Sequence, residues 1–216
     1  MKQLSFLISF LLLFTNSFGQ NSKEFEGKVY YEHTFIINDK SYDSIEVAKC
    51  FGASSIYIYS NGNFYWEAKG SDFQYEIYNS KTNLLVDKYS YSDSLKKIDV
   101  FEKYDSLISF EIKKNVDKIC GYNCNVISVL LQSTKDKSKL KKQLFYSDRL
   151  YVNPNNFQNY RSYGNNRIYE LIKSQPLRII MQFEGLPIEI KMNAIRVTEE
   201  KVLDGLFLID KSLIMN

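Results

Sequence analysis

The dipeptide Asn61-Gly62 sits between two short runs of large alternating residues, 56–60 and 63–67. Asn followed by Gly is the pair that most readily supplies two left-handed backbone angles in succession. A two-residue hairpin turn is therefore expected, and it fixes which residues face each other. Ser60 should oppose Asn63, Tyr59 should oppose Phe64, Ile58 should oppose Tyr65, and Tyr57 should oppose Trp66. Because directly opposed residues share a face, Tyr57, Tyr59, Phe64 and Trp66 gather on one side. Ile56, Ile58, Tyr65 and Glu67 form the other. Both sides are largely apolar, so one of the two needs a second cover: a packed helix, or a cavity that accepts an apolar ligand. Tyr57, Tyr59, Phe64 and Trp66 are accordingly the candidate ligand-binding residues.

The rest of the chain carries the same signature. With 17 Tyr and 15 Phe against three Pro and nine Gly, the composition favours strands. Alternation marks a first strand at 27–37, with His33 on its more apolar side as a hydrogen-bonded structural residue. Further strands are expected at 73–78, 84–91, 97–101, 107–113, 177–183, 188–198 and 206–209, with a hairpin within 114–131 that turns at Gly121-Tyr122. Spacing near ten residues suits an antiparallel meander. The lysine-rich stretch 134–142 reads as a solvated turn. Ile168, Leu171 and Ile172 follow helical spacing behind a cap at Asn166, and Pro176 ends the segment. One short helix is thus expected near 166–175. The fold class is mainly β, with residues 20–216 forming a single β-rich domain.

Residues 4–14 are an apolar run behind Lys2 and ahead of a small polar stretch, the pattern of a secretory signal peptide covering residues 1–19. The run falls short of the roughly 20 residues a membrane-spanning helix needs, and no later stretch comes closer. The expected location is periplasmic or secreted, with no transmembrane segment after cleavage. No Cys lies near the cut to carry a lipid anchor. In an oxidising compartment, Cys50, Cys120 and Cys124 imply one disulfide and one spare thiol. A turn at Gly121-Tyr122 directs Cys120 and Cys124 to opposite faces and so favours Cys50 with Cys124.

Reactive constellations are missing. There is no Gly-x-Ser-x-Gly elbow, and His33 is the only imidazole, so serine and cysteine nucleophiles lack a base. Glycine loops that cradle phosphates are absent, and three dispersed Cys with one His do not make a zinc site. Asp39, Ser41, Asp43 and Glu46 faintly resemble a calcium loop but lack its central Gly, so they read as a polar hairpin tip. Lys and acidic residues are interspersed, with a formal net charge of +3, which leaves no basic stripe for nucleic acid. A non-enzymatic protein with no cofactor is expected.

Three stretches, KICGYNC at 118–124, FEGLPIEI at 183–190, and AIRV at 194–197 followed by VLDGLF at 202–207, together resemble the exported GLPGLI-type proteins and the related LolA-like envelope proteins of Gram-negative bacteria. Ile188 and Glu189 stand where the naming signature has Gly-Leu. The resemblance implies an antiparallel, strongly curved open barrel with a helix beneath it. It also implies a periplasmic carrier of an acyl chain or another apolar ligand, and it brings no catalytic residues. The alternative expectation is a cell-envelope scaffold without a small-molecule ligand, whose exposed sheet edge pairs with a partner protein.

Overall fold

The computed structural model describes residues 23–39 and 42–215; the expected leader at 1–19 lies outside the described residues. The chain runs β1 (Gly27–Ile37), α1 (Ser44–Phe51), β2 (Ser54–Ser60), β3 (Asn63–Lys69), β4 (Phe73–Asn79), β5 (Leu84–Tyr89), β6 (Leu95–Ile98), β7 (Asp105–Ile119), β8 (Tyr122–Ser133), β9 (Lys139–Tyr151), α2 (Asn165–Ile172), β10 (Ser174–Phe183), β11 (Ile188–Glu199) and β12 (Ile214–Met215). All twelve strands form one sheet in the order β12-β6-β5-β4-β3-β2-β1-β11-β10-β9-β8-β7. The short β12 runs parallel to β6, and every other pairing is antiparallel. Two meanders are therefore fused along the β1–β11 seam, and the sheet is mixed and open. Among the described residues no helix is long and apolar enough to cross a membrane.

The Asn61-Gly62 turn has φ of 50° and 82°, and the register is Ser60↔Asn63, Tyr59↔Phe64, Ile58↔Tyr65 and Tyr57↔Trp66, as the sequence requires. The rows continue across the sheet. Val29, Tyr57, Trp66, Glu76, Asp87 and Lys96 lie in one cross-strand ladder, and Tyr59, Phe64, Tyr78, Leu85 and Ile98 in the next.

Both faces are covered, by different means. On the concave side Phe157 is fully buried among Tyr59, Phe64, Tyr78, Tyr160 and Tyr169, with its ring centroid 4.1 Å from that of Tyr169. Helix α2 lies beside it. Its Ile168 and Ile172 pack with Leu131, Leu140 and Leu144, while its Tyr169 joins the aromatic side. On the convex side the tail after β11 covers the sheet: a 3-10 turn at Asp204–Phe207 packs on β3 and β4, and Ile209 and Ile214 meet Tyr65 and Tyr75.

Several expectations are corrected. The second hairpin turns at Cys120-Gly121, with φ of 49° and 85°, so Ile119 faces Tyr122 and Asp117 faces Cys124. A turn with both central angles positive needs Gly in the second place, which shifts it one residue back from Gly121-Tyr122. All three cysteines stand as free thiols, so the expected Cys50–Cys124 bridge is not formed: Cys50 is exposed on α1, while Cys124 is buried on β8. Instead of a polar hairpin tip, Asp43 caps α1 by accepting a hydrogen bond from the Ile45 N–H at 2.8 Å. The lysine-rich turn ends earlier than expected, because β9 begins at Lys139. The expected strand at 206–209 is not formed: 206 and 207 end the 3-10 turn, and 208 and 209 are irregular. Helix α2 closes at Lys173 in a left-handed conformation, and Pro176 lies within β10, where the pairing with β9 is irregular.

Gly62 and Gly121 differ in one respect that can be measured. Both have positive φ, but a Cβ on Gly62 would lie 2.5 Å from Asn156 Cγ, whereas one on Gly121 meets nothing within 4 Å. Gly121→Ala should cost about 1 kcal/mol from backbone strain alone, and Gly62→Ala about 2–3 kcal/mol because Asn156 must also move. Urea denaturation of the two variants measures the difference, and equal losses would contradict the close approach.

Candidate functional site

The concave face is only partly filled by Phe157. Next to it lies a pocket of about 190 Å³ whose floor includes Tyr57, Phe64, Trp66 and Glu76 and whose opposite wall includes Tyr160, Ile168, Tyr169 and Lys142. Strands β4 and β9, which supply Glu76 and Lys142, are six interstrand steps apart, about 29 Å along the sheet at about 4.8 Å per step. That both side chains line one small pocket is a direct measure of how strongly the sheet curls. A groove of about 990 Å³ beside β6 and β12 is larger and mixed in character, lined by Leu84, Ile98, Val100, Phe101, Ile214 and Met215 together with exposed Lys97, Asp99 and Lys211.

Of the four residues expected to line a binding face, the structure brings Tyr57, Phe64 and Trp66 to this pocket. Tyr59 belongs to the core behind it. Its ring stacks with Phe25 and Phe157, and its hydroxyl donates to Glu24 Oε1 and accepts from the Gly62 N–H at 3.1 Å. Burial holds the Tyr59 hydroxyl far above its ordinary pKa, so it stays neutral.

The pocket residues carry an unusual number of unmet polar atoms. Tyr57 OH, Trp66 Nε1 and Gln175 Oε1 are sealed from water and have no hydrogen-bond partner. The Tyr57 hydroxyl is close to that of Tyr169 but not in bonding geometry. The orientation of Gln175 follows from its neighbours. The Pro176 carbonyl can only accept, so Tyr31 OH donates to it at 2.5 Å. The Tyr31 oxygen is then left to accept from Gln175 Nε2 at 3.1 Å, which puts Oε1 in the unpartnered position. Each such group left unmet costs about 1–3 kcal/mol.

Two ionisable elements flank the rings. Glu76 and Asp87 face each other across β4 and β5. Burial, and then the neighbouring Asp87, push the Glu76 carboxyl well above the usual carboxylate range. Burial raises Asp87 as well, against the hydrogen bond that Tyr89 OH donates to its Oδ2 at 3.3 Å. A proton on Glu76 relieves the repulsion between the two acids, while Asp87 Oδ1 has no hydrogen-bond partner. On the other wall, burial pushes the Lys142 ammonium down to about 8, with Asp105 opposing the shift. Lys142 makes no ion pair among the described residues, and its amine lies 5.6 Å from the Tyr163 ring centroid.

Nucleophilic machinery lies elsewhere or is unactivated. His33 is buried away from this pocket, with Nδ1 2.9 Å from the Gly52 carbonyl and Nε2 2.8 Å from Ser55 Oγ, and burial lowers its pKa. Burial raises the thiols of Cys120 and Cys124, which disfavours thiolate. Among the described residues no group of three or more His, Cys, Asp or Glu is placed to hold a metal ion.

Sequence reasoning missed Glu76, Asp87, Lys142 and Gln175. Lys142 carried a signal, since it alternates in phase with Leu140, Leu144 and Tyr146. Glu76 did not, because it alternates against Phe73, Tyr75 and Ile77 and so reads as a solvent-facing residue. No protein-family model matches this chain, and no curated protein matches it.

Folding releases the Lys142 proton near pH 8, whereas the unfolded chain holds it to about pH 10.5. Between those values the unfolded state binds more protons, so this residue makes stability rise with pH. Lys142→Met should therefore be more stable than the wild type below pH 8, by about 1–3 kcal/mol once the partial hydration of the amine is allowed for. The gap should narrow toward pH 10.5. Urea denaturation of both proteins across this range tests it, and a gap independent of pH would show that the amine titrates normally.

Proposed function

We propose that this protein is a non-enzymatic binding protein that shelters a compact apolar ligand between the concave sheet face and α2. The observation that carries this reading is the pocket of about 190 Å³ walled by Tyr57, Phe64, Trp66, Tyr160 and Tyr169, whose accessible lining is mostly apolar. An engineered apolar cavity of about 150 Å³ is enough to hold benzene, so this volume suits a ring or a short acyl chain. The resemblance to GLPGLI-type and LolA-like exported proteins supports the same reading, since an open curved sheet with a helix on its inner side is what it led us to expect. With the leader at 1–19, the proposed place of work is the periplasm or the cell exterior.

A second reading, a scaffold that pairs its sheet edge with a partner strand, is favoured by β7. This edge strand of 15 residues leaves Ile108, Phe110 and Val116 exposed, although irregular pairing with β8 and several lysines blunt it.

Trp66 is the only tryptophan and stands in the pocket wall, so its fluorescence reports occupancy directly. Titration with uncharged probes such as toluene and 1-hexanol should shift and saturate its emission. Native mass spectrometry of protein purified from an envelope fraction should show an added mass. An unresponsive Trp66 together with a bare protein mass rules out the binding reading and favours the scaffold.

A further inference from the structure

The proposed ligand pocket has an unbalanced set of charges. Lys142 extends from β9 into a wall that also contains Leu144, Ile168 and Met181, and no carboxylate pairs with it. Asp105, the acid whose field reaches it, forms no ion pair with it and accepts a hydrogen bond from the Tyr163 N–H at 3.0 Å. On the opposite wall Glu76 faces Asp87 across β4 and β5, and Asp87 Oδ1 has no hydrogen-bond partner. Lys142 makes no ion pair among the described residues, and the Tyr163 ring, 5.6 Å from its amine, is the contact it has. A long amine stem in apolar surroundings normally carries its head out to water or to a counter-charge. Of the unmet atoms around the pocket, Trp66 Nε1 can only donate, Tyr57 OH can donate or accept, and Gln175 Oε1 and Asp87 Oδ1 are oxygens without a donor.

Resting on the binding reading above, we infer that the ligand carries an oxyanion head that pairs with Lys142 while its apolar body occupies the aromatic pocket. The body is ring-sized, because the pocket holds the liquid volume of about six waters. A cationic head is disfavoured at this wall, since it would face the Lys142 ammonium. The depressed pKa of Lys142 agrees, because an amine held beside a counter-anion would not release its proton so early.

Three probes with the same body and different heads test this: phenylacetate, 2-phenylethanol and 2-phenylethylamine, titrated at pH 7 by Trp66 fluorescence and calorimetry. The wild type should bind the acid about tenfold more tightly than the alcohol, with the amine weakest, as expected when one partly buried ion pair is gained or opposed. In Lys142→Met the acid should lose that advantage while the alcohol binds as before, which also shows the variant pocket to be intact. If the alcohol binds the wild type as well as or better than the acid, or if the preference survives in Lys142→Met, the oxyanion inference is overturned and the binding reading stands. If none of the three binds, both fall.

Discussion

Phe157 decides how the concave face is used. A sheet whose inner rows read Tyr59, Phe64, Tyr78 and Val29, Tyr57, Trp66 must bury those rings or hold something against them. Phe157 fills one row, contacting five aromatic side chains, and leaves the Tyr57–Trp66 row with a pocket. Burial of such a ring contributes about 1.5–3 kcal/mol, and well-oriented aromatic pairs add about 0.5–1.5 kcal/mol each. The wedge stays in place because its loop is tied down from both sides. Glu24 accepts from the Asn153 N–H at 3.0 Å, from Asn156 Nδ2 at 3.1 Å and from Tyr59 OH, while Tyr78 OH donates to the Asn156 carbonyl at 3.1 Å. The asparagines of this loop thus position an aromatic plug, a role that their turn propensity alone does not reveal.

Legibility in the sequence tracked how local the determining physics was. The register of the 56–67 hairpin could be read residue by residue because Asn61-Gly62 satisfies the turn with no help from elsewhere. The hairpin at Cys120-Gly121 was misplaced by one residue because its first left-handed position is taken by a cysteine, which no local preference announces. Helix α1 was hidden for a similar reason: its cap, Asp43, lies in an acidic stretch that reads equally well as a turn. Pro176 misled in the other direction. Its ring suggested the end of a helix, but Lys173 had already closed α2, and irregular pairing accommodates the proline inside β10.

The candidate site was half legible. Tyr57, Phe64 and Trp66 could be placed together because they are rings on one face of a known turn. Glu76 could not, because alternation separates an inner from an outer face only when one of them meets water. Here the C-terminal tail covers the convex side of the same strands, so Tyr75 and Ile77 pack outward while Glu76 points inward with Trp66. A sheet coated on both faces gives up the link between polarity and exposure on which sequence patterns depend.

Curvature then does what no single strand can. Glu76 and Lys142 lie far apart along the sheet, and the curl that joins two meanders through β1 and β11 brings both to one small volume. A flat sheet would leave Lys142 solvated and Glu76 an ordinary surface acid. Once enclosed, the two walls solve the cost of burial differently. The acids face each other across adjacent strands, and burial raises both toward their neutral forms. The lysine, opposite them and without a partner, keeps a charge that burial disfavours. Natural cores rarely tolerate a buried charge without a compensating group, and on the proposed reading that group arrives with the ligand.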